Sequence, residues 1–555
     1  MAKGIMYVDN IRVEFDDEAT IMDVCRKAGV EMPNFCFHSD LSVYGACRMC
    51  MVEDLDTGKI DAACTTKPKN GMRIRTNTSR LLKYRRMTLE LMLASHCRDC
   101  TACEKNRSCR LQEMAVRFGI HHVHFKDTRE HVPMDFSSPA VTFDLNKCIL
   151  CGDCVRVCKE VQGMSILHFA GRGPGLHIQA GDNQQLSSTH CVSCGQCAAV
   201  CTTGAITVKN DIGDAWRALH DLSQRVVIQI APAVRVALGE AYGLPAGENV
   251  LDKLVTALKI MGADEVYDTI FGADLTVREE SAEFLRRLET GENLPLMTSC
   301  CPSWVRYVEQ ERPQFLKNLS SALSPMQMFA TVLKDRYRAK DAADGRTTFH
   351  IAIMPCTAKK MEAGRKEFRR DGVPNVDLVL TTQEVIKMIK ESGIRFQMLE
   401  KESPDLPYGM GSGAAEIFGT SGGVAEAVFK MCVGNRLGIE VAPAFGADAL
   451  FCPSYGSFLL EVTEDVEGAL PIGRVTEKKE ISYKGESLAL EKLQSIYEDK
   501  LESVYSCNIP DSRGPMELFS FEAPAPAAPA GAVMTEDLAL WTLLPHGGRR
   551  GLAHA

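Results

Sequence analysis

Two stretches decide how this chain is read: CILCGDCVRVC over residues 148–158 and CVSCGQCAAVC over residues 191–201. Each has the form Cys-x2-Cys-x2-Cys-x3-Cys, giving Cys148, Cys151, Cys154 and Cys158, then Cys191, Cys194, Cys197 and Cys201. A single run of this kind is copied by some structural zinc sites. The paired repeat points instead to two four-iron clusters, in which the fourth cysteine of each run ligates the other cluster. One cluster then takes Cys148, Cys151, Cys154 and Cys201, and the other Cys191, Cys194, Cys197 and Cys158.

Two more ligand sets precede these runs. Cys36, Cys47, Cys50 and Cys64 lie in PNFCFHSDLSVYGACRMC and the following AAC. A long loop and a nearby strand can wrap a two-iron cluster, with Gly45 and Ala46 letting the backbone approach the sulfides; structural zinc is the alternative. The next set is His96-x3-Cys100-x2-Cys103-x5-Cys109. In isolation one imidazole with three thiolates suits zinc. Between other cluster motifs it reads as a four-iron cluster with one nitrogen ligand, whose neutral imidazole moves the reduction potential upward. Cys97, beside His96, lies outside this four-donor spacing and is left unassigned, and Cys25, on a helix face, reads as a core thiol.

Composition agrees with metal ligation. The 555 residues include 23 cysteines, 45% hydrophobic and 24% charged residues, and carry a formal charge of −9. That length implies three or four domains. The N-terminus lacks the apolar core of a secretory signal, so a cytoplasmic location is expected and disulfides are not. No run of about 18 uncharged apolar residues suggests a membrane span; Val226–Leu238 is too short and contains Arg235. The negative charge argues against nucleic acid as a partner.

Periodicity divides the chain into an α+β multidomain protein. Residues 1–78 alternate apolar and polar over short stretches around one helix at Thr20–Ala28, a small β-rich domain with a long cysteine-bearing loop. Residues 79–120 form a helical segment bearing the His/Cys set. Residues 138–210 form a bacterial-type two-cluster ferredoxin domain. From 222 to 515 strands alternate with helices, as in RVVIQIAPAVRVAL, helix Val250–Met261, strand Glu265–Asp268, helix Val277–Thr290, and the strands FHIAIMPC and VDLVL, giving an α/β domain. Residues 516–555, rich in Ala and Pro, read as a disordered or aberrant tail.

Two further segments stand out: PLMTSCCPSW (Pro295–Trp304) and IMPCTAKKME (Ile353–Glu362). The order of the four ligand sets followed by these segments resembles the catalytic subunit of [FeFe]-hydrogenases, more narrowly its long NAD(P)-linked forms, over about residues 1–430. The large iron–sulfur subunit of respiratory NADH dehydrogenase shares the N-terminal sets but lacks the two later motifs. The resemblance implies a β-grasp two-iron ferredoxin domain over residues 1–78, a hydrogenase large-subunit-like α/β domain and reversible heterolytic splitting of hydrogen. It implies one two-iron cluster, three four-iron clusters and the composite hydrogen site (H-cluster), a four-iron cluster joined to a two-iron unit. Cys301 and Cys356 would be two of that site's four cysteines, and Cys300 the thiol that passes protons to it. Glu280, Glu283 and Ser320 match the outward proton path, and Lys359 would donate to a cyanide ligand. Read from the residues alone, Glu280 and Glu283 are a solvated helix face. The implied partners are a flavin/NAD(P)-binding subunit, a small two-iron subunit, ferredoxin, and hydrogen with protons.

One family motif has no counterpart. The family takes its last two active-site cysteines from Met-Ala-Cys-Pro-Gly-Gly-Cys, whereas after Cys356 this chain has Cys432, Cys452 and Cys507, no two of them separated by three residues. Three readings fit: a shifted reading frame near the end, a relative that kept the relay without the hydrogen site, or replacement ligands among those three cysteines. Met326 stands where the family has a glutamine. The glycine-rich stretch Gly409–Gly423 reads as a close-packing loop, and His121, His122 and His124 as solvated.

Overall fold

The computed structural model describes residues 4–408 apart from 17, 128–130 and 183, and scattered residues between 411 and 492. Strands β1 (Gly4–Val8) and β2 (Ile11–Phe15) form a hairpin whose turn residues Asp9 and Asn10 both take positive φ, the turn that matches strand twist. Helix α1 (Ile21–Lys27) begins at a capping box between Thr20 and Asp23. With β3 (Met51–Asp54), β4 (Ile60–Ala62) and β5 (Arg73–Arg75), the strands make one sheet in the order β2-β1-β5-β3-β4, with β1 parallel to β5. Ile21, Val24 and Cys25 of α1 pack beneath it, so Cys25 is a core thiol.

Helix α2 (Ser79–Ala94), capped by Thr78, and α3 (Arg110–Arg117) follow. The helical spacing over 79–118 is interrupted between them, because Arg98 and Arg107 take left-handed conformations that a helix excludes. Leu89, Leu111 and Met114 share a core with Phe35 and Met49 of the first loop. The next region holds β6 (Val141–Phe143), α4 (Asp153–Arg156), β7 (Leu167–Ala170), β8 (His177–Ala180), α5 (Gln196–Ala199) and β9 (Ile206–Val208). Here β6 pairs β9 and β7 pairs β8, both antiparallel.

The α/β region starts with α6 (Ile212–His220) and β10 (Gln224–Ile230), which ends where Pro232 opens α7 (Pro232–Ala237). Then come α8 (Leu251–Ile260), β11 (Glu265–Asp268), α9 (Ile270–Thr290), α10 (Pro302–Glu311), α11 (Pro325–Asp344), β12 (Thr347–Met354) and α12 (Ala358–Ala363). A hairpin of β13 (Arg369–Arg370) and β14 (Val373–Pro374) leads to β15 (Leu378–Thr381) and α13 (Thr382–Glu391). The sheet is parallel, in the order β11-β10-β12-β15. Its strands read as continuous apolar runs because helices cover both faces. Helix α9 starts seven residues before the predicted Val277. Its first turns lack apolar periodicity because Gly272 lies so close to α11 that a Cβ would meet the Pro325 carbonyl oxygen at 2.4 Å. Between 438 and 489 lies a smaller sheet, Gly473–Thr476, Gly438–Val441, Glu480–Tyr483 and Glu486–Ala489 in spatial order. No helix among the described residues is long and apolar enough to cross a membrane.

Candidate metal centres

Cys36, Cys47, Cys50 and Cys64 are all buried, three on the loop before β3 and one just after β4. They meet as two pairs: Cys36 with Cys47, and Cys50 with Cys64. In each pair a shared hydrogen bond holds one thiol down (Cys47, Cys50) and pushes its partner up. Two thiolates per iron is what a two-iron cluster requires. The Phe35 amide donates to Cys47 Sγ at 3.4 Å and the Cys47 amide to Cys36 Sγ at 3.3 Å, so backbone dipoles already face the sulfurs.

The two later runs build the same turn twice. Leu150 and Ser193 each take φ 59°, and their amides donate to Cys148 Sγ and Cys191 Sγ, both at 3.4 Å. Glycines at positive φ, Gly152 and Gly195, then start α4 and α5. The fourth cysteines cross over. Cys148, Cys151, Cys154 and Cys201 line one cavity, walled by Phe143, Ile178 and Ile206. Cys158 stands with Cys191, Cys194 and Cys197, close enough to raise each of their thiols, although burial is the larger cause.

At the second set the turn appears a third time. Arg98 also takes φ 59°, and its amide donates to His96 Nδ1 at 3.2 Å. His96 therefore occupies the place that Cys148 and Cys191 hold. It lines a cavity with Cys100 and Cys109. Cys109 sits at the N-terminus of α3, where the Leu111 and Gln112 amides face it, although burial still pushes its thiol up. Cys103 packs so closely on Gly204 that a Cβ there would come within 2.7 Å of its sulfur. Among the described residues no three His, Cys, Asp or Glu side chains converge on a single-ion distance; multi-iron clusters hold their ligands further apart than one tetrahedral zinc does.

The sets touch in series. Arg156 donates to the Cys36 carbonyl at 2.8 Å, joining the first set to the run 148–158. The Arg110 amide donates to the Thr202 carbonyl at 3.1 Å, joining the second. At the far end, Ser303 Oγ, Arg306 Nε and Thr357 Oγ1 donate at 2.9 Å to the carbonyls of Val192, Cys191 and Ser193. The segments holding Cys301 and Cys356 are thereby seated on the last cluster loop. Sequence reading missed these clamps, since their partners lie about a hundred or more residues away.

Cys300 and Cys301 precede α10, and Cys356 follows β12, at the strand ends where parallel sheets place their chemistry. Cys300 keeps some accessible area yet sits deep among protein atoms, and burial pushes its thiol up to about 12, with Lys359 opposing. Lys359 Nζ donates to the Cys300 carbonyl at 2.9 Å and pairs with Glu362 at 2.6 Å. Burial works to lower the Lys359 ammonium; Glu362 together with Cys300 and Cys356 outweighs it and the net shift is upward. Cys301 is exposed.

The residue-only reading of Glu280 and Glu283 as a solvated face is overturned. Both are buried, at 0% and 6% exposure, because the loop 318–322 covers that side of α9. Burial raises the Glu280 acid to about 7. Ser320 tempers that shift by its nearness, yet its hydroxyl donates to Glu283 at 3.2 Å. Burial also acts to raise Glu283, but the Ser321 amide and Arg287, at 2.9 and 2.5 Å, bring it below the usual range. Met326 is buried in the core of the parallel sheet. His124 is exposed and pairs with Glu90 at 2.7 Å. In the glycine-rich stretch, a Cβ on Gly411 would strike Ile270 at 2.6 Å, which fits close packing. Cys432, Cys452, Cys507 and the tail from 516 lie outside the described residues.

Family models match along the chain in the same order. A 2Fe-2S iron-sulfur cluster binding domain covers residues 5–79 and the NADH-ubiquinone oxidoreductase-G iron-sulfur binding region 85–124. The ferredoxin-like domain of NADH-quinone oxidoreductase subunit 3 covers 138–207, and the C-terminal domain of the iron-only hydrogenase large subunit 224–444. The chain is an iron–sulfur protein with 2Fe-2S and 4Fe-4S binding regions. It is 38% identical over 435 residues to NADP-reducing hydrogenase subunit HndD of Solidesulfovibrio fructosivorans, which spans 76% of this chain and 74% of that protein. It is 34% identical over 427 residues to iron hydrogenase 1 of Clostridium pasteurianum, with the same coverage. A third relative, cytosolic iron-sulfur assembly component 3 of Bos taurus, is 29% identical over 342 residues, 57% of this chain and 71% of that one. Identity of this extent to two hydrogenases, together with the matched large-subunit domain, makes the chain a member of the iron-only hydrogenase family.

Proposed function

We propose that the chain is the iron–sulfur subunit of a hydrogen-converting, pyridine-nucleotide-linked complex, and that single electrons cross it through four clusters. A two-iron cluster would sit on Cys36, Cys47, Cys50 and Cys64. Four-iron clusters would sit on His96, Cys100, Cys103 and Cys109; on Cys148, Cys151, Cys154 and Cys201; and on Cys191, Cys194, Cys197 and Cys158. The observation that carries the reading is the unbroken series of contacts from the Cys36 loop and Cys109 through both runs to Cys300 and Cys356. Two inlets converge on one outlet, which suits a relay that takes electrons from, or gives them to, more than one partner.

At the outlet, Cys301 and Cys356 would hold part of a hydrogen-activating iron site, the H-cluster, which when complete supplies the open iron where hydrogen is split. The described residues offer it two thiolates where a four-iron cluster takes four, so they do not complete that group. Around it the chain's own residues handle protons. Cys300 lies deep among protein atoms, Glu280 is fully buried, and Glu280 titrates near neutral pH, which suits a group that must take and release a proton. Ser320 stands between Glu280 and Glu283, and Arg287 fixes Glu283 in its ionised form.

The partners that fit are a flavin/NAD(P)-binding subunit, a small two-iron subunit and ferredoxin, in the cytoplasm. One relative of this chain is named as a subunit of an NADP-reducing hydrogenase. A second reading rests on the missing Cys-x3-Cys after Cys356: a subunit that kept the relay and carries electrons without hydrogen chemistry. Anaerobic co-expression with the maturation machinery, followed by infrared spectroscopy and iron and sulfide analysis, separates the two. Carbon monoxide and cyanide stretches establish the first reading. Their absence in protein with all four ordinary clusters leaves the second.

A further inference from the structure

The second ligand set contains one donor more than a four-iron cluster takes. Cys97 follows His96, and Cys97-x2-Cys100-x2-Cys103 repeats the spacing of Cys148-x2-Cys151-x2-Cys154. Its sulfur lies 4.0 Å from His96 Nδ1. It stands close to both Cys100 and Lys147, and Lys147 also lies near Cys103. The thiol is part-buried, as are those of Cys100, Cys103 and Cys109.

We propose that Cys97 is an alternative ligand, so that this cradle closes with either His96 or Cys97 as its fourth donor. The proposal rests on the four-iron reading of the second set. As the loop stands, the left-handed turn at Arg98 winds around His96. Moving that turn one residue, to Asp99, would wind it around Cys97 as Leu150 and Ser193 wind around Cys148 and Cys191. Asp99 now has φ −81°, and aspartate enters the left-handed region more readily than arginine. The segment between the end of α2 and the turn at Cys100–Ala102 belongs to no helix or strand, so no regular hydrogen-bond ladder opposes the shift. The exchange breaks one iron–nitrogen bond and forms one iron–sulfur bond; the thiol proton passes to the released imidazole, and no electron is transferred. Thiolate in place of neutral imidazole adds negative charge and lowers the potential.

The test uses the full chain purified anaerobically, with iron and acid-labile sulfide counted per chain and reduced clusters followed by electron paramagnetic resonance during potentiometric titration. C97S retains the wild-type iron and potentials. H96A retains its iron, with one four-iron signal shifted to more negative potential. H96A/C97S loses about four irons per chain, while the two-iron signal of the N-terminal domain persists and reports a folded chain. Loss of the same iron in H96A alone overturns the proposal, as does retention of that iron in the double variant. C100S separates this from the underlying reading: it should lose about four irons, and if it keeps them the second set holds no such cluster.

Discussion

The Arg156 guanidinium donates to the Cys36 carbonyl at 2.8 Å and pairs with Asp153 at 2.5 Å, so one buried cation of the ferredoxin-like region clamps the loop of the first ligand set. Arg156 and Asp153 are 7% and 2% exposed. Arg156→Met leaves the Asp153 carboxylate buried without its partner, which costs about 3–5 kcal/mol. Chemical denaturation followed by the visible circular dichroism of the two-iron cluster should show that loss. A change under about 1 kcal/mol would mean that the clamp is dispensable.

Glu280 sets a pH dependence. Its acid is raised from 4.5 to about 7, so the folded chain holds that proton more tightly than the unfolded one. The resulting stabilisation is complete below about pH 4.5 and is lost as pH rises to about 7. Glu280→Gln removes the titration. The stability of the wild type relative to E280Q therefore falls by roughly 3 kcal/mol across that window, measurable by denaturant titration at pH 5 and pH 8. Equal differences at both values would refute the buried acid.

The crossover of fourth cysteines is tested by comparing spectra. C201S should leave the same residual paramagnetic spectrum as C148S, and C158S the same as C191S. The opposite grouping, C201S with C191S, would show that each run closes its own cluster.

Gly204 lies where a Cβ would meet Cys103 Sγ at 2.7 Å. Gly204→Ala should deplete the second cluster, lowering iron by about four per chain while the other three signals survive. Unchanged iron would show that the loop yields without losing its metal.

The cysteine groupings were legible because most of their spacing is local: two or three residues separate the thiols within both runs, while the first set is spread over intervals of ten and thirteen residues. The strand at Gln224–Ile230 was legible as an apolar run that only a doubly covered sheet produces. Glu280 and Glu283 were misread because helical spacing places them on one face without saying what covers it; Ser320, Ser321 and Asn318 come from a loop some forty residues on. Sequence separation also hid the role of Lys360, which joins Asp211, 149 residues away, at 2.6 Å to Glu384 at 2.9 Å. The early start of α9 was hidden by close helix contact, which selects small residues and erases the periodic signal.

The turn shared by Arg98, Leu150 and Ser193 has a wider consequence. It separates the position of a donor from its chemical identity, since one backbone shape presents nitrogen at one station and sulfur at two others. Individual stations of the conductor can then be retuned by exchanging a single side chain, while the spacing that governs tunnelling stays put.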